Sequence, residues 1–373
     1  MIIGIPKEIK PNEKRVSLLP HSVSQIAKLG HKVVVQKGAG MESGISDKEF
    51  ENEGASILKD INSIYNESDI IIKVKEPLDI ELDLIKDSQI IFTFFHFAAD
   101  KKLLSKFIET NAIAVAYETV EDLNGNLPLL TPMSEIAGRM AIQNGAKFLE
   151  GTHGGKGVLL SGVPGVAPAT VTIIGGGVVG LNSAKLAAGL GAKVNILDID
   201  MDRLRYLDDI MPSNVFTHHS NSHTINNLLP KTDLLIGGVL VPGSKAPKII
   251  TRKMLSLMKK GSVIVDVAVD QGGCIETTKP TTHENPIYDI DGIVHYCVAN
   301  MPGAVPQTST VSLTNCTNSY ILDLIKEDFC SSNLNNRSIR KGVNVYKGKI
   351  THKGLAESFN LPYMNLESAM SLK

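Results

Sequence analysis

Residues 171–198 run Val171-Thr172-Ile173-Ile174-Gly175-Gly176-Gly177-Val178-Val179-Gly180, through a helix-like stretch closed by Gly191, to Lys193-Val194-Asn195-Ile196-Leu197-Asp198. An apolar strand enters Gly175, Gly177 and Gly180 in G-x-G-x-x-G spacing, and Leu181, Ala184, Leu186, Ala187 and Leu190 pattern the helix beyond. Each glycine has its own physical task. Gly175 allows the tight turn, Gly177 lets the backbone approach a pyrophosphate, and Gly180 lets helix and strand pack closely. The helix N-terminus offers N–H groups to phosphate oxygens. Asp198 closes the second strand about twenty residues on, where a carboxylate accepts adenosine ribose hydroxyls and repels a 2′-phosphate. The order strand, glycines, helix, strand, acid predicts a dinucleotide site that favours NAD over NADP, a preference tempered by nearby Arg203.

A chain of 373 residues is long enough for two domains, each with its own core. With 38 Lys and Arg against 39 Asp and Glu the formal net charge is −1, and the charges are spread evenly. Neither nucleic acid nor an anionic membrane surface is indicated as a partner. Cys274, Cys297, Cys316 and Cys330 form no C-x-x-C pair and no Cys/His metal spacing, and read as reduced thiols of a cytoplasmic protein. Ile2, Ile3 and Ile5 ahead of Lys7 make too little of an apolar run for a signal peptide. The uncharged stretch 157–184 exceeds membrane-span length, but its glycines, Pro164 and Pro168 read as loop, strand and turn. His218, His219 and His223 lack acidic partners at ligand spacing and read as a polar loop, so no metal is expected.

Ahead of the glycine turn, strands at 2–5, 32–36, 69–74, 89–94 and 112–116 alternate with helix patterns that include 22–29 and 101–109. This alternation predicts a second parallel, doubly wound sheet. Thr131 and Pro132 read as the N-cap and first residue of a helix running to 150. Strands near 233–236, 262–267 and 293–298 continue the nucleotide domain. The helical stretch 309–326 and a C-terminal helix would return the chain to the first one. The expected fold class is α/β, with two doubly wound Rossmann-like domains. Residues 129–305 form an NAD-binding domain inserted into a discontinuous substrate domain of 1–128 and 306–373.

Ligands of open parallel sheets bind beyond the carboxyl ends of the strands, and that rule selects the chemical candidates. The first strand opens to Glu13-Lys14-Arg15-Val16, the 69–74 strand to Lys75, and the 89–94 strand to His96. In the other domain the 262–267 strand leads to Ala268-Val269-Asp270, and 293–298 leads to Asn300-Met301. Arg15 can grip a carboxylate with two parallel N–H donors, and Lys75 adds a point charge. His96, in partly apolar surroundings, suits proton transfer near neutral pH, and Asp270 could activate water or pair with an amine. The expectation is one interdomain crevice that oxidises a small carboxylate-bearing amine or alcohol at its α-carbon. Taken singly, each residue also has an ordinary reading: surface charges for Arg15 and Lys75, a core histidine for His96, a turn former for Asp270, a helix cap for Ser134.

Met1 through Glu8, Glu13-Lys14-Arg15-Val16, Lys73-Val74-Lys75-Glu76-Pro77, the His96 segment and Gly162-Val163-Pro164-Gly165-Val166 resemble the L-alanine dehydrogenase family. So do the glycine turn, Asp266 through Gly273 and Asn300 through Pro306, and the likeness covers essentially the whole chain. The resemblance implies a homohexamer that converts L-alanine, NAD⁺ and water reversibly to pyruvate, ammonium and NADH. It implies substrate contacts for Arg15 and Lys75 and acid–base roles for His96 and Asp270. It also implies cofactor contacts at Ser134, Gly175, Gly177, Val178, Val179, Gly180, Asp198, Arg203, Ser220, Val239 and Leu240. Val267, Ala268, Val269, Asp270, Val298, Ala299, Asn300 and Met301 complete that set. Lys279 falls where the family can carry a further cofactor-contacting base, and Gln307 stands where the family has Arg. Two other classes stay open, the NAD(H)-binding module of a membrane transhydrogenase and an opine-type, saccharopine-like lysine dehydrogenase. The first needs no carboxylate clamp with an acid–base histidine, and the small-substrate motifs speak against the second.

Overall fold

Runs of isoleucine and valine, buried on both faces, form the central strands in the computed structural model, which describes residues 1–239, 246–326 and 336–371. The first six strands are β1 (Ile2–Ile5), β2 (Lys32–Gln36), β3 (Ser56–Leu58), β4 (Ile70–Ile72), β5 (Ile90–Thr93) and β6 (Ile113–Ala116). Next come β7 (Thr170–Ile174), β8 (Lys193–Asp198), β9 (Val215–His219), β10 (Leu234–Gly237), β11 (Val263–Asp266), β12 (Ile287–Ile290) and β13 (Ile293–Tyr296). Near the C-terminus lie β14 (Val343–Tyr346) and β15 (Lys349–Ile350). Two units emerge: unit 1 is Met1–Met133 with Gly303–Lys373, and unit 2 is Ser134–Pro302.

In unit 1 the strand order is β15-β14-β6-β5-β4-β1-β2-β3. Because β1 pairs in parallel with both β2 and β4, the winding reverses there, and the carboxyl ends of β1 and β4 border a topological switch point. Phe95, Phe97 and Phe107 fill the core beneath, the first two stacked with ring centroids 4.4 Å apart. In unit 2 the order is β12-β13-β11-β10-β7-β8-β9, and β7 lies parallel to both β8 and β10, so the switch falls at the glycine turn. Its core gathers Ile174, Leu235, Ile264 and Ile275.

Several elements differ from the sequence expectation. The sheets are not wholly parallel, since β12 runs antiparallel to β13, and β14 antiparallel to β6 and β15. The edge strands β3, β9, β12 and β15 are short or half-exposed and lack a continuous apolar run. In place of one C-terminal helix the chain forms a helix at Arg337–Gly342, the β14–β15 hairpin, and helices at Lys353–Phe359 and Leu366–Ser371. The long helix spans Thr131–Phe148, so Thr131 is its first residue and not its cap. The Thr131 hydroxyl donates to Leu127 O at 3.0 Å, because the turn already begins upstream. Ser134 therefore lies inside the helix and cannot be its N-cap. His218 and His219 end β9, with the His218 ring 3.0 Å from Asn195 Oδ1. His223 sits in the helix Ser222–Leu228, which Asn221 caps through Thr224 N–H. The polar-loop reading of these histidines is thus corrected to strand and helix.

Candidate active site

Four loops leave the carboxyl ends of β1, β4, β5 and β6 in unit 1, carrying Arg15, Lys75, His96 and Glu118 respectively. Arg15 is 2% exposed and Lys75 7%, so neither is an ordinary surface charge. The Arg15 guanidinium donates from Nε and Nη2 to the Glu13 carboxylate at 2.7 and 2.5 Å, and its Nη1 lies 3.0 Å from Met133 Sδ. An internal acid thus fixes the fork by its Nε–Nη2 edge. The loop itself is tied down by hydroxyls. Ser43 Oγ donates to Lys14 O at 2.8 Å, Thr310 Oγ1 accepts from Val16 N–H at 3.2 Å, and Ser17 Oγ donates to Ile72 O at 2.7 Å. Gln307, three residues before Thr310 on the helix Pro306–Leu324, lays its amide where a Cβ on Gly44 would fall.

Behind Lys75 lies a buried charged cluster. Glu8 Oε1 accepts from Val74 N–H at 2.6 Å and from Lys75 N–H at 3.3 Å. Its other oxygen meets the fully buried Lys73 ammonium at 3.2 Å, and Lys73 also pairs with Glu81 at 2.5 Å. Burial pushes the Glu8 carboxyl above its ordinary value, and Lys73 opposes that only in part. For Lys73 burial works toward the neutral amine, but Glu8 and Glu81 overcome it and raise the ammonium's pKa. Burying ionic groups on this scale costs desolvation, and Glu8 ties the cluster to the strand end bearing Lys75 through the Val74 and Lys75 N–H groups.

His96 adopts φ +52°, a left-handed conformation that costs energy for a non-glycine residue and is concentrated at functional sites. The Glu118 carboxylate compensates by accepting from His96 N–H at 2.6 Å and Phe95 N–H at 3.1 Å. The ring stacks on Phe94 and places Nδ1 3.2 Å from Glu76 Oε2. Glu8, Glu13, Glu76 and Glu118 received no role from the sequence. Glu13 and Glu76 stand beside Arg15 and Lys75, but the contacts of Glu8 and Glu118 cross 66 and 22 residues.

In unit 2 the glycine turn has the geometry its spacing implied. Gly175 has φ +100°. A Cβ on Gly180 would fall 1.8 Å from Gly175 O, whereas one on Gly177 would meet nothing within 4 Å. Val178 and Val179 open the helix Val178–Gly189 directly after Gly177. Asp198 accepts from Gly176 N–H at 2.7 Å and from Asp200 N–H at 3.0 Å, which anchors its carboxylate beside the turn. Arg203 donates to the carbonyls of Gly176 and Gly177 at 2.5 and 3.4 Å and stacks over Tyr206. Two of its guanidinium nitrogens are thus engaged with the main chain of the turn.

The remaining unit 2 candidates also lie mostly at strand ends. Ser220 follows β9 with its N–H on Asp198 O at 2.8 Å, and Val239 follows β10 against Gly175; Leu240 lies outside the described residues. Val267, Ala268, Val269 and Asp270 occupy one 3-10 turn after β11. Buried Asp266 pins that turn, accepting from Ala268 N–H at 3.1 Å, Ile275 N–H at 3.3 Å and Thr278 Oγ1 at 2.6 Å. Asp270 is exposed and accepts from Asn300 N–H at 3.1 Å, tying its turn to the segment Val298, Ala299, Asn300 and Met301. Asn300 itself has φ +59°. Lys279 lies apart from these contacts, its ammonium over the Tyr288 ring. An open backbone at Gly177, a helix start and an anchored carboxylate at Asp198 fit a pyrophosphate and a ribose diol.

Family models for the alanine dehydrogenase/PNT N-terminal and C-terminal domains match residues 4–137 and 141–353. An alanine dehydrogenase of Methanococcus maripaludis is 50% identical over 372 residues, spanning 100% of both chains. That of Bacillus subtilis is 49% identical over 371 residues, 99% of this chain and 98% of its own. A solved L-alanine dehydrogenase structure shares 46% identity with a TM-score of 0.91, covering 96% of this chain and 99% of its own. With both domain models matched in order and such relatives aligned end to end, the chain belongs to the alanine dehydrogenase/PNT family.

Proposed function

We propose that this chain catalyses the reversible, NAD-dependent oxidative deamination of L-alanine: L-alanine, NAD⁺ and water give pyruvate, ammonium, NADH and a proton. The observation that carries the reading is the set of guanidinium, ammonium and imidazole groups on the strand ends around the switch point of unit 1. Unit 1 is assigned the substrate and unit 2 the dinucleotide. When bound, NAD supplies the hydride acceptor. Gly175, Gly177 and Gly180 with Val178 and Val179 hold its pyrophosphate, and Asp198 holds its ribose. Ser134, Arg203, Ser220, Val239, Leu240, Lys279 and the 267–270 and 298–301 segments are assigned further contacts.

Arg15 hydrogen-bonds the substrate carboxylate, and Lys75 polarises the pyruvate carbonyl. In the amination direction the His96 imidazolium gives its proton to the carbinolamine hydroxyl. The C–O bond breaks toward oxygen, water leaves, and the nitrogen lone pair closes the C=N bond. Asp270 handles the remaining water and carbinolamine proton transfers. A cytoplasmic homohexamer completes the reading and rests on the family; light scattering tests the oligomer. For the activity, NADH oxidation is followed with pyruvate in the presence and absence of ammonium. A strict requirement for ammonium is expected, and oxidation without it would replace this reaction by lactate-type chemistry.

A further inference from the structure

Among the described residues, one carboxylate around His96 reaches its ring. Glu76 Oε2 lies 3.2 Å from Nδ1, while Glu118 spends both oxygens on the backbone N–H groups of Phe95 and His96. The Glu76 side chain is 15% exposed, and its second oxygen is ion-paired with Lys10 from the loop after β1. Burial alone would raise the Glu76 carboxyl. The bond and charge of His96, with Lys75 and Lys10, instead hold it well below the ordinary carboxylate range. Glu76 is therefore held as the anion, fixed from one side by Lys10 and facing Nδ1 on the other.

A neutral imidazole carries one N–H and one lone pair, and the partner of one nitrogen decides which proton the other can offer. An anionic carboxylate accepts only, so Nδ1 must bear the proton and Nε2 becomes the exchanging atom. We infer that Glu76 is a positioning residue that sets the tautomer and ring orientation of His96, with Glu118 setting its backbone and Lys10 holding Glu76 in place. The inference rests on the acid–base role of His96 proposed above. A carboxylate that orients a catalytic imidazole can be worth several orders of magnitude in turnover even when geometry is kept, because its loss populates the wrong tautomer.

The experiment is a double-mutant cycle in the full-length protein: Glu76→Gln, His96→Gln and the pair, with steady-state amination, NADH fluorescence titration and thermal melting. Glu76→Gln is expected to lower kcat at least ~100-fold, the scale of general acid–base catalysis. KM for pyruvate, NADH affinity and melting temperature should stay near wild type. In the His96→Gln background the same change should have little further effect on kcat, and Glu76→Asp should recover part of the loss. A purely structural role predicts equal losses in both backgrounds, and that result, or near-wild-type kcat in Glu76→Gln, overturns the inference. Undiminished turnover in His96→Gln alone would instead remove the acid–base role of His96. If Glu76→Gln does not fold, Glu76→Asp carries the test: lower kcat at unchanged KM supports it, unchanged kcat refutes it.

Discussion

Gly177 and Gly180 stand three positions apart and differ in what a side chain would meet. At Gly180 a Cβ would fall 1.8 Å from Gly175 O, so alanine must displace backbone. At Gly177 it would meet open space, so a demand for glycine there would come only from an approaching dinucleotide. Gly180→Ala should lower the melting temperature and NADH binding together. Gly177→Ala should melt like wild type while its NADH Kd rises by about tenfold or more, about 1.4 kcal/mol. Equal melting losses in the two variants would show that the turn is purely structural. Arg15 behaves as a residue with two duties, since its Nε–Nη2 edge neutralises buried Glu13. Arg15→Met leaves that acid without its guanidinium, costing about 3–5 kcal/mol of stability. Arg15→Lys keeps the charge and should chiefly raise KM for pyruvate, NADH affinity being unchanged. An Arg15→Lys enzyme with normal pyruvate kinetics would release Arg15 from substrate binding. Arg15 was legible from its place beyond a strand end. Glu13 as its partner was not, because no sequence rule says that a neighbouring acid turns inward.

At the scale of elements, the helix Lys353–Phe359 shows how a cap can couple folding to pH. His352 Nδ1 accepts from Leu355 N–H at 3.2 Å, which it can do only while that nitrogen is unprotonated. Burial, aided by Lys341, lowers the His352 pKa below its ordinary 6.5. The unfolded chain therefore binds the proton more readily than the folded one. The cap's contribution is complete above about pH 6.5 and is lost as pH falls toward the folded value. His352→Asn keeps a good cap without a titrating ring. It should melt like wild type near pH 8 and higher than wild type near pH 5.5; identical melting curves at both pH values would mean that the cap is not titrating. The element itself illustrates the limits of pattern reading. Strands and helices such as β1, β2 and Lys101–Glu109 were legible because their apolar patterning is local. The β14–β15 hairpin was not, since its first strand is stabilised by antiparallel pairing with β6, more than two hundred residues away.

At the scale of the molecule, each sheet has its own switch point: Arg15 and Lys75 follow the two strands that border the one in unit 1, His96 follows the next strand, and the glycine turn lies at the one in unit 2. Ligand protection should divide in the same way. NADH at about a hundredfold excess over its Kd should stabilise the fold by about 2.7 kcal/mol and slow hydrogen exchange in the β7 turn and the Asp198 segment. Pyruvate should slow exchange in the loops after β1, β4 and β5. Protection by NADH confined to unit 1 peptides would contradict the assignment. The sequence by itself determined the α/β class, the glycine turn with Asp198, and the strand-end positions of Arg15, Lys75, His96 and Asp270. These depend on periodicity, turn chemistry and the rule for carboxyl ends, all expressed within a few dozen consecutive residues. Only the tertiary structure decided which acids hold those groups: Glu13 on Arg15, Glu8 beneath Lys75, Glu76 and Glu118 on His96, and Asp266 beneath the Asp270 turn. It also decided the antiparallel edges and where the long helix begins. The physical reason is range. A strand end is written in its own residues, whereas the partner of a buried charge is chosen by whichever distant loop the winding of the sheet brings beside it.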